Sequence, residues 1–219
     1  MDKKLNIISL NKKAWNNVAE KYAKAKYTNL NPLIDFFCNN LPKNGFILDL
    51  GSGTGLPFAK LFVEKGFNYL GVDISSQMIK IAQKNVPIAN FKELSMTDLN
   101  FENEFNGVFS SYSMLLLSPQ LLKDVAKKVV KSLKKGGLFY LSLNEPRVKN
   151  ADLDEDVICE IMGETMYSRA YTEEEILNIT APLGLKCLKI YREIQSSEEF
   201  GIEHMMAIVF KKIVRTQPH

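Results

Sequence analysis

Short apolar runs alternate with stretches of helical period through the first two thirds of the chain. The runs are Phe46–Leu50, Tyr69–Val72 closing on Asp73, Phe91–Leu94, Gly107–Ser111 and Leu138–Leu143. Each is short and nearly continuous, as suits strands buried on both faces of a parallel sheet. Between them lie predicted helices. One spans Leu56–Lys65 and ends at Gly66, and another is capped by Ser75 or Ser76 and buries Met78, Ile79 and Ala82. A third opens at Ser118-Pro119, carries the stripe Leu122, Val125, Val129 and Leu133, and stops at Gly136-Gly137. Two helices precede the first strand. Trp15, Val18, Ala19 and Tyr22 make one face of a helix within Ser9–Lys24, and Pro32 starts a second, with Leu33, Ile34, Phe36 and Phe37 inward, ending by Leu41. Strand and helix in alternation predict an α/β fold, an open parallel sheet wrapped on both faces.

The rhythm breaks from Asn144 to Arg169, which holds Pro146, an acidic cluster at Asp152–Asp156 and no clean period. A segment of that length after a strand's carboxyl end is placed to cover a site. Thr172 and Glu175 then form a capping box with Tyr171 and Ile176 as its hydrophobic staple, and the helix runs to about Leu183 before Gly184. Lys186–Ile194 and His204–Lys211 read as two strands of a hairpin joined by QSSEEFGIE. With 219 residues and no linker or repeat, the expectation is a single domain over 1–219. Residues 1–45 are its amino-terminal helices and 144–170 a lid-like insert.

Composition narrows the picture by exclusion. The net charge of +3 comes mostly from lysines spread along predicted helices, such as Lys123, Lys127 and Lys131. That is the pattern of a solvated face and argues against a nucleic-acid partner. Cys38, Cys159 and Cys187 stand far apart, in no metal-ligand or redox spacing, so no metal is expected and a reducing cytoplasm suits them. The start, MDKKLNIISLNKK, has no long apolar core, and no run is long enough to cross a membrane. A cytoplasmic protein without membrane association is the expectation.

The candidate chemistry sits at the end of the first strand. In FILDLGSGTG, Phe46–Gly55, an apolar run meets Asp49 and breaks into Gly51, Gly53 and Gly55 before the next helix. Glycines at a strand-to-helix turn accept positive φ and let a ligand lie against the backbone, facing free helix amides. Asp73 lies twenty residues beyond Gly53, the spacing at which an acid ending the second strand accepts from both ribose hydroxyls. Asp98 is placed either to accept from an adenine amino group or to serve as an ordinary turn aspartate, and Ser111, ending the fourth strand, either touches the ligand or satisfies backbone. A nicotinamide-dependent oxidoreductase would need glycine where Leu56 stands, to complete G-x-G-x-x-G.

These residues resemble the ordered motifs of the class I S-adenosylmethionine-dependent methyltransferases: ILDLGSGTG at 47–55, GVDISSQM at 71–78, MTDL at 96–99, FNGVFSS at 105–111 and LKKGGLF at 133–139. YTEEEILNITAPLGLK is similar to the family's late helix and sixth strand, and AWNNVAEKYAK to its amino-terminal helix. The resemblance implies a Rossmann-like, doubly wound sheet of seven strands, mostly parallel with the last antiparallel, and S-adenosyl-L-methionine as cofactor. It further implies that Gly51, Ser52 and Gly53 pass against the methionine part, while Asp49 fixes the loop and approaches the ammonium. Asp73 would hold the ribose, Ile74 and Met78 pack on adenine, and Thr97 with Asp98 meet its amino edge. Ser111 would face the methionine end and Tyr22 close over it. Asn106 and Leu115 depart from the Asp and His of many relatives. Because the fourth strand ends in Ser110, Ser111, Tyr112 and Ser113, the Asp/Asn-Pro-Pro-Tyr signature is missing, which argues against adenine-N6 and glutamine acceptors.

Methyl transfer from such a cofactor is an in-line displacement, so the protein mainly aligns the partners and excludes water. A catalytic residue is required only if the acceptor must lose a proton. The candidates for acceptor contacts are Tyr112, Glu145, Arg147, Tyr167, Arg169, Tyr171, Glu203 and His204, with His204 the base on offer and Tyr112 the alternative. A methyltransferase acting on a small-molecule acceptor is the leading expectation. The oxidoreductase, a non-catalytic cofactor-binding protein and an RNA or protein methyltransferase are the alternatives. Neither the acceptor nor the oligomeric state is written in the sequence.

Overall fold

Five of the helices begin where a side chain accepts an otherwise unpaired amide. The computed structural model describes residues 6–25, 30–147, 158–197 and 201–213. In chain order the elements are α1 (Ile7–Lys24), α2 (Pro32–Asn39), β1 (Phe46–Leu50), α3 (Phe58–Glu64), β2 (Asn68–Asp73), α4 (Ser76–Asn85), β3 (Asn90–Glu93) and β4 (Phe105–Ser111). There follow α5 (Pro119–Ser132), β5 (Leu133–Glu145), β6 (Ile158–Ile161), β7 (Glu164–Tyr167), α6 (Glu173–Thr180), β8 (Leu185–Ser197) and β9 (Gly201–Lys212). Asn6, Asn31, Ser75, Ser118 and Thr172 accept from the first turns of α1, α2, α4, α5 and α6. The Thr172–Glu175 capping box is complete, with both reciprocal bonds made.

Seven strands form one sheet in the order β3-β2-β1-β4-β5-β9-β8. The pairs β1–β2, β2–β3, β1–β4 and β4–β5 are parallel, and β9 runs antiparallel to both neighbours. This is the doubly wound α/β sheet with its last strand reversed. The order changes direction between β1 and β4, where a crevice opens beyond the strands' carboxyl ends. Two cores flank the sheet. Leu48, Leu50, Val108, Leu122 and Ile176 belong to the one beneath α5 and α6. Phe37, Ile47, Phe62, Phe109 and Tyr140 belong to the one beneath α2 and α3. Strand alternation thus sends Asp49 to the same face as Ile47, where Tyr69 waits for it.

Several boundaries differ from the sequence expectation, each for a local reason. The helix after the glycine turn begins at Phe58, with Pro57 as its cap, and not at Leu56. Leu133 is the first residue of β5 and not the last of α5, because its backbone is extended and it pairs with Phe105 across a register shift. The predicted lid-like insert contains an antiparallel hairpin, β6–β7, while its acidic cluster at Asp152–Asp156 lies outside the described residues. Of the hairpin loop joining β8 and β9, residues 198–200 also lie outside them.

One further packing unit stands apart from both cores. Ala14, Val18 and Met166 form a small cluster with Trp15, Ile161 and Met162 packed on it, joining α1 to the β6–β7 hairpin. Buried Asn11 fastens the two: its amide donates to Tyr167 O at 3.1 Å and Leu116 O at 3.0 Å, and its carbonyl accepts from Tyr167 N at 2.8 Å. Asn16 ties α1 to the other side by accepting from Ser75 Oγ at 2.8 Å.

Candidate active site

A cavity of about 600 Å³ lies at the carboxyl ends of β1, β2 and β4, with α1 along one side. Its floor is the glycine turn. Gly51 N and Ser52 N donate to Val72 O at 2.8 and 3.0 Å, which folds the turn back against β2. The two glycines here serve different needs. Gly51 has φ +74°, and a Cβ on it would lie 2.4 Å from Ser113 Cβ, so it is demanded by packing. Gly53 has φ +53° and nothing within 4 Å of where its Cβ would stand, so its bare backbone faces open space in the cavity.

Two carboxylates define the electrostatics. Asp49 is buried and accepts from Tyr69 OH at 2.7 Å. Asp73 accepts from Gly53 N at 2.9 Å and Ser75 N at 2.8 Å, so it holds the glycine turn and the start of α4 together. Burial pushes the Asp49 carboxyl up to about 7, against the lowering effect of the Tyr69 hydrogen bond, with the charge of Asp73 adding to the rise. Burial likewise raises Asp73 to about 6, opposed by its three backbone hydrogen bonds. Tyr22 on α1 is raised to about 12 by burial and by the nearby Asp73, so its phenol stays protonated.

Of the residues singled out in the sequence, Tyr22, Asp49, Gly51, Ser52, Gly53, Asp73, Ile74, Met78, Ser111 and Tyr112 all line this cavity. Thr97 and Asp98 do not. Thr97 turns to Ser95, whose Oγ accepts its amide at 3.2 Å, and Asp98 is exposed, while Leu94, Ser95 and Met96 supply that wall. His204 is also outside it, paired in the sheet with Glu145 and Ile194. Among the remaining acceptor candidates, Tyr171 is buried with its hydroxyl on Leu117 O. Arg169 is buried in an ion pair with Glu175 at 2.7 Å and lies over the Tyr171 ring. Glu145 is held by Arg192, and Glu203 by Asn144.

Sequence reasoning missed Asn11, Ser113, Leu116 and Leu117, which line the cavity from α1 and the turn after β4. Asn11 carried a signal, since an amide on the apolar face of an amphipathic helix needs buried partners. Trp15 also lines the cavity, and among the described residues its buried Nε1 has no hydrogen-bond partner, nor does Ser52 Oγ.

The donor set fits S-adenosylmethionine. Two desolvated carboxylates with no bonded cation among the described residues suit an ammonium and a ribose diol. The open Gly53 backbone and the unpartnered Ser52 hydroxyl suit the methionine part, and Ile74, Met78 and Leu94 offer apolar surface for adenine. Among the described residues no cluster of His, Cys, Asp and Glu could hold a metal ion, and no helix is long and apolar enough to cross a membrane.

Residues 47–137 match the family model described as a methyltransferase domain, and the fold is the one found in solved S-adenosylmethionine-dependent methyltransferases. The chain is 30% identical over 132 residues to YqeM of Bacillus subtilis, a protein named as a methyltransferase, covering 54% of this chain and 53% of that one. It is also 30% identical over 118 residues to a carboxy-S-adenosyl-L-methionine synthase of Nautilia profundicola, covering 52% of this chain and 50% of that one. The matches span about half the length of these curated relatives. Among solved structures, the 1,6-didemethyltoxoflavin-N1-methyltransferase of Burkholderia thailandensis, with bound 1,6-didemethyltoxoflavin and S-adenosylhomocysteine, shares the fold. Its TM-score is 0.75 at 15% identity, covering 98% of this chain and 94% of that one.

Proposed function

We propose that the chain methylates a small-molecule acceptor by in-line displacement within the cavity beneath α1. The observation that carries this reading is the enclosure. The cofactor cradle and the wall formed by Ser111, Tyr112, Pro57 and Phe58 share one cavity of about 600 Å³, a volume usual for a small-ligand site. Bound there, S-adenosylmethionine would supply a methyl group already activated on a sulfonium. Asp49 would hold the ammonium, Asp73 the ribose hydroxyls, and Gly51–Gly53 the methionine part, with Ile74 and Met78 against the adenine. Thr97 and Asp98 stand further off and would act on the adenine edge only through Ser95 and Met96.

The chain's own contribution to the chemistry is alignment and the exclusion of water. Tyr112 sits at the end of β4 with φ +51°, a conformation rare for an aromatic residue and a mark of functional constraint. Burial and the neighbouring Tyr140 and Glu193 raise its phenol well above the ordinary range. It would therefore donate a hydrogen bond to an acceptor and not take its proton. No base is required for an acceptor that attacks in its neutral form.

Support for a small acceptor also comes from the Burkholderia enzyme, which holds 1,6-didemethyltoxoflavin and S-adenosylhomocysteine together on this fold. A carboxylated cofactor, the product named for the Nautilia relative, would add an anion to walls whose described charges are Asp49, Asp73 and Lys24. That balance favours transfer of an uncharged methyl group. The test is incubation with methyl-labelled S-adenosylmethionine and a cell extract split by size. Label in the small-metabolite fraction, with S-adenosylhomocysteine released, is the expected result. Label confined to macromolecules, or a carboxylated cofactor as the product, would refute it.

A further inference from the structure

The glycine turn and its acids answer the cofactor, while the side chains that would answer an acceptor stand further along the same face of the sheet. Register places Ser111 next to Ser142, Asn144 next to Met205 and Glu203 next to Gln195, all on the face that carries Asp49. A row of polar side chains therefore climbs outward from the glycine turn across β4, β5 and β9. Tyr112 joins the two regions. It lines the cavity, and its phenol feels the charges of Glu193 and Glu203. We propose that Glu203, with Asn144, determines acceptor specificity: the acceptor carries a protonated nitrogen, an ammonium or amidinium group, which these two hold while its reactive atom faces the cofactor across Tyr112. Such an acceptor is one class of the small molecule proposed above and depends on that reading.

Two observations support this class. The first is a missing donor. Asn144 gives its amide to Glu203 Oε1 at 2.8 Å, and its own Oδ1 is enclosed with no hydrogen-bond partner among the described residues. An enclosed carbonyl oxygen of that kind calls for an N–H, which a bound cation supplies. The second is charge. Glu203 is half-buried and makes no ion pair among the described residues. Burial raises its carboxyl, while the Asn144 bond and the charge of exposed Arg147 lower it. Glu193, on the same face, accepts from the neutral Tyr191 and Gln195, and Lys189 lies instead over the Phe36 ring. The opposite face differs: there Arg192 bridges Glu145 and Glu173 at 2.7 and 2.6 Å. Two half-buried carboxylates with neutral donors cost desolvation energy that an arriving cation offsets. Two strand spacings, about 10 Å, separate the strand end that carries Tyr112 from Glu203, a distance that a small metabolite spans.

The test divides the small-metabolite fraction of a cell extract by ion exchange at about pH 7 into cationic, neutral and anionic pools. Each is incubated with wild type and methyl-labelled S-adenosylmethionine, and label transfer is expected in the cationic pool. In dilutions of that pool, Glu203→Gln should raise the apparent KM about tenfold or more with kcat within about threefold, and Glu203→Asp should recover part of the loss. Affinity for S-adenosylhomocysteine, measured by calorimetry, should stay within about twofold in both variants. An unchanged KM, a fall in kcat alone, or a loss of S-adenosylhomocysteine affinity would show that Glu203 only supports Tyr112 or the fold, and each overturns the proposal. Transfer in the neutral or anionic pool overturns it as well and leaves the small-acceptor reading standing, whereas transfer in none of the three brings down both.

Discussion

Removing the charge of Asp49 should make the cofactor-free protein more stable while destroying its affinity for cofactor. The carboxyl is only 2% exposed and, among the described residues, has one direct side-chain partner, the Tyr69 hydroxyl. Its pKa is about 7 in the fold against 3.8 for the ordinary group. The folded chain therefore binds the extra proton between those values. The stability that this proton supports is fully present below about pH 4 and is lost as pH rises through 7. A rise of about three pH units corresponds to about 4 kcal/mol at pH 8, and to about 2 kcal/mol at pH 5, where part of the penalty has not yet developed. Asp49→Asn keeps an oxygen to accept from Tyr69 and removes the buried charge. In urea titrations of the cofactor-free protein, the variant is expected to exceed wild type by up to about 4 kcal/mol at pH 8, with the gap shrinking toward pH 5. Adding S-adenosylhomocysteine should stabilise wild type and leave the variant almost unmoved. A variant less stable than wild type at pH 8, or a gap indifferent to pH, would refute the reasoning.

Other consequences follow from the same geometry. Affinity for S-adenosylhomocysteine should be full above about pH 7 and fall as Asp49 and then Asp73 protonate, with the slope of log Kd against pH steepening below 6. Tyr69→Phe removes the hydrogen bond that lowers Asp49, so the midpoint of that curve should move to higher pH; a midpoint that stays or falls would contradict the pairing. Gly51→Ala should cost about 2–4 kcal/mol in thermal or urea unfolding because its methyl meets Ser113. Gly53→Ala should cost only about 1 kcal/mol of stability yet weaken cofactor binding at least about tenfold, and the reverse ranking would sink the distinction. Asn11→Ala strips partners from Leu116 O, Tyr167 O and Tyr167 N, and should cost about 2–4 kcal/mol. Hydrogen exchange of α1 and β7 should rise together, and unchanged exchange in either would show that the clamp is not what joins them.

Local signals in the sequence carried a long way, because elements are set by local chemistry. Ser118-Pro119 and the Thr172–Glu175 box cap helices as read. The apolar runs that end at Asp73 and Ser111 are β2 and β4, and the reversed final strand is β9. What escaped depends on contacts between distant segments. Leu133 fits a helical stripe equally well, and only Phe105 pulls it into the sheet. Thr97 and Asp98 read as site residues, but a tight turn at Met96–Asp98 presents Ser95 and Met96 to the cavity. His204 reads in the sequence as a base on offer, yet nothing in a strand's pattern tells how far along the sheet its residues stand from the crevice. The function of Asn11 needed Leu116 and Tyr167 in place before it had any meaning.

The Asn11 clamp also bears on the order in which the molecule is completed. Its partners lie 105 and 156 residues further along the chain. During synthesis α1 can therefore meet Ser75 and Glu93 through Asn16 and Lys12 early, while Asn11 stays without its partners until Leu116 and then β7 have been made. Contacts of such sequence separation carry a large loop-closure cost and form late. The sheet and its glycine turn can assemble beforehand, from the nearer pairings of β1, β2, β3 and β4. A nascent or partly folded chain would thus present a finished cradle whose cover is fastened along one side only. Cleavage by proteases within α1, followed over the course of refolding, would then report the last step toward a closed site, not the first step toward a fold.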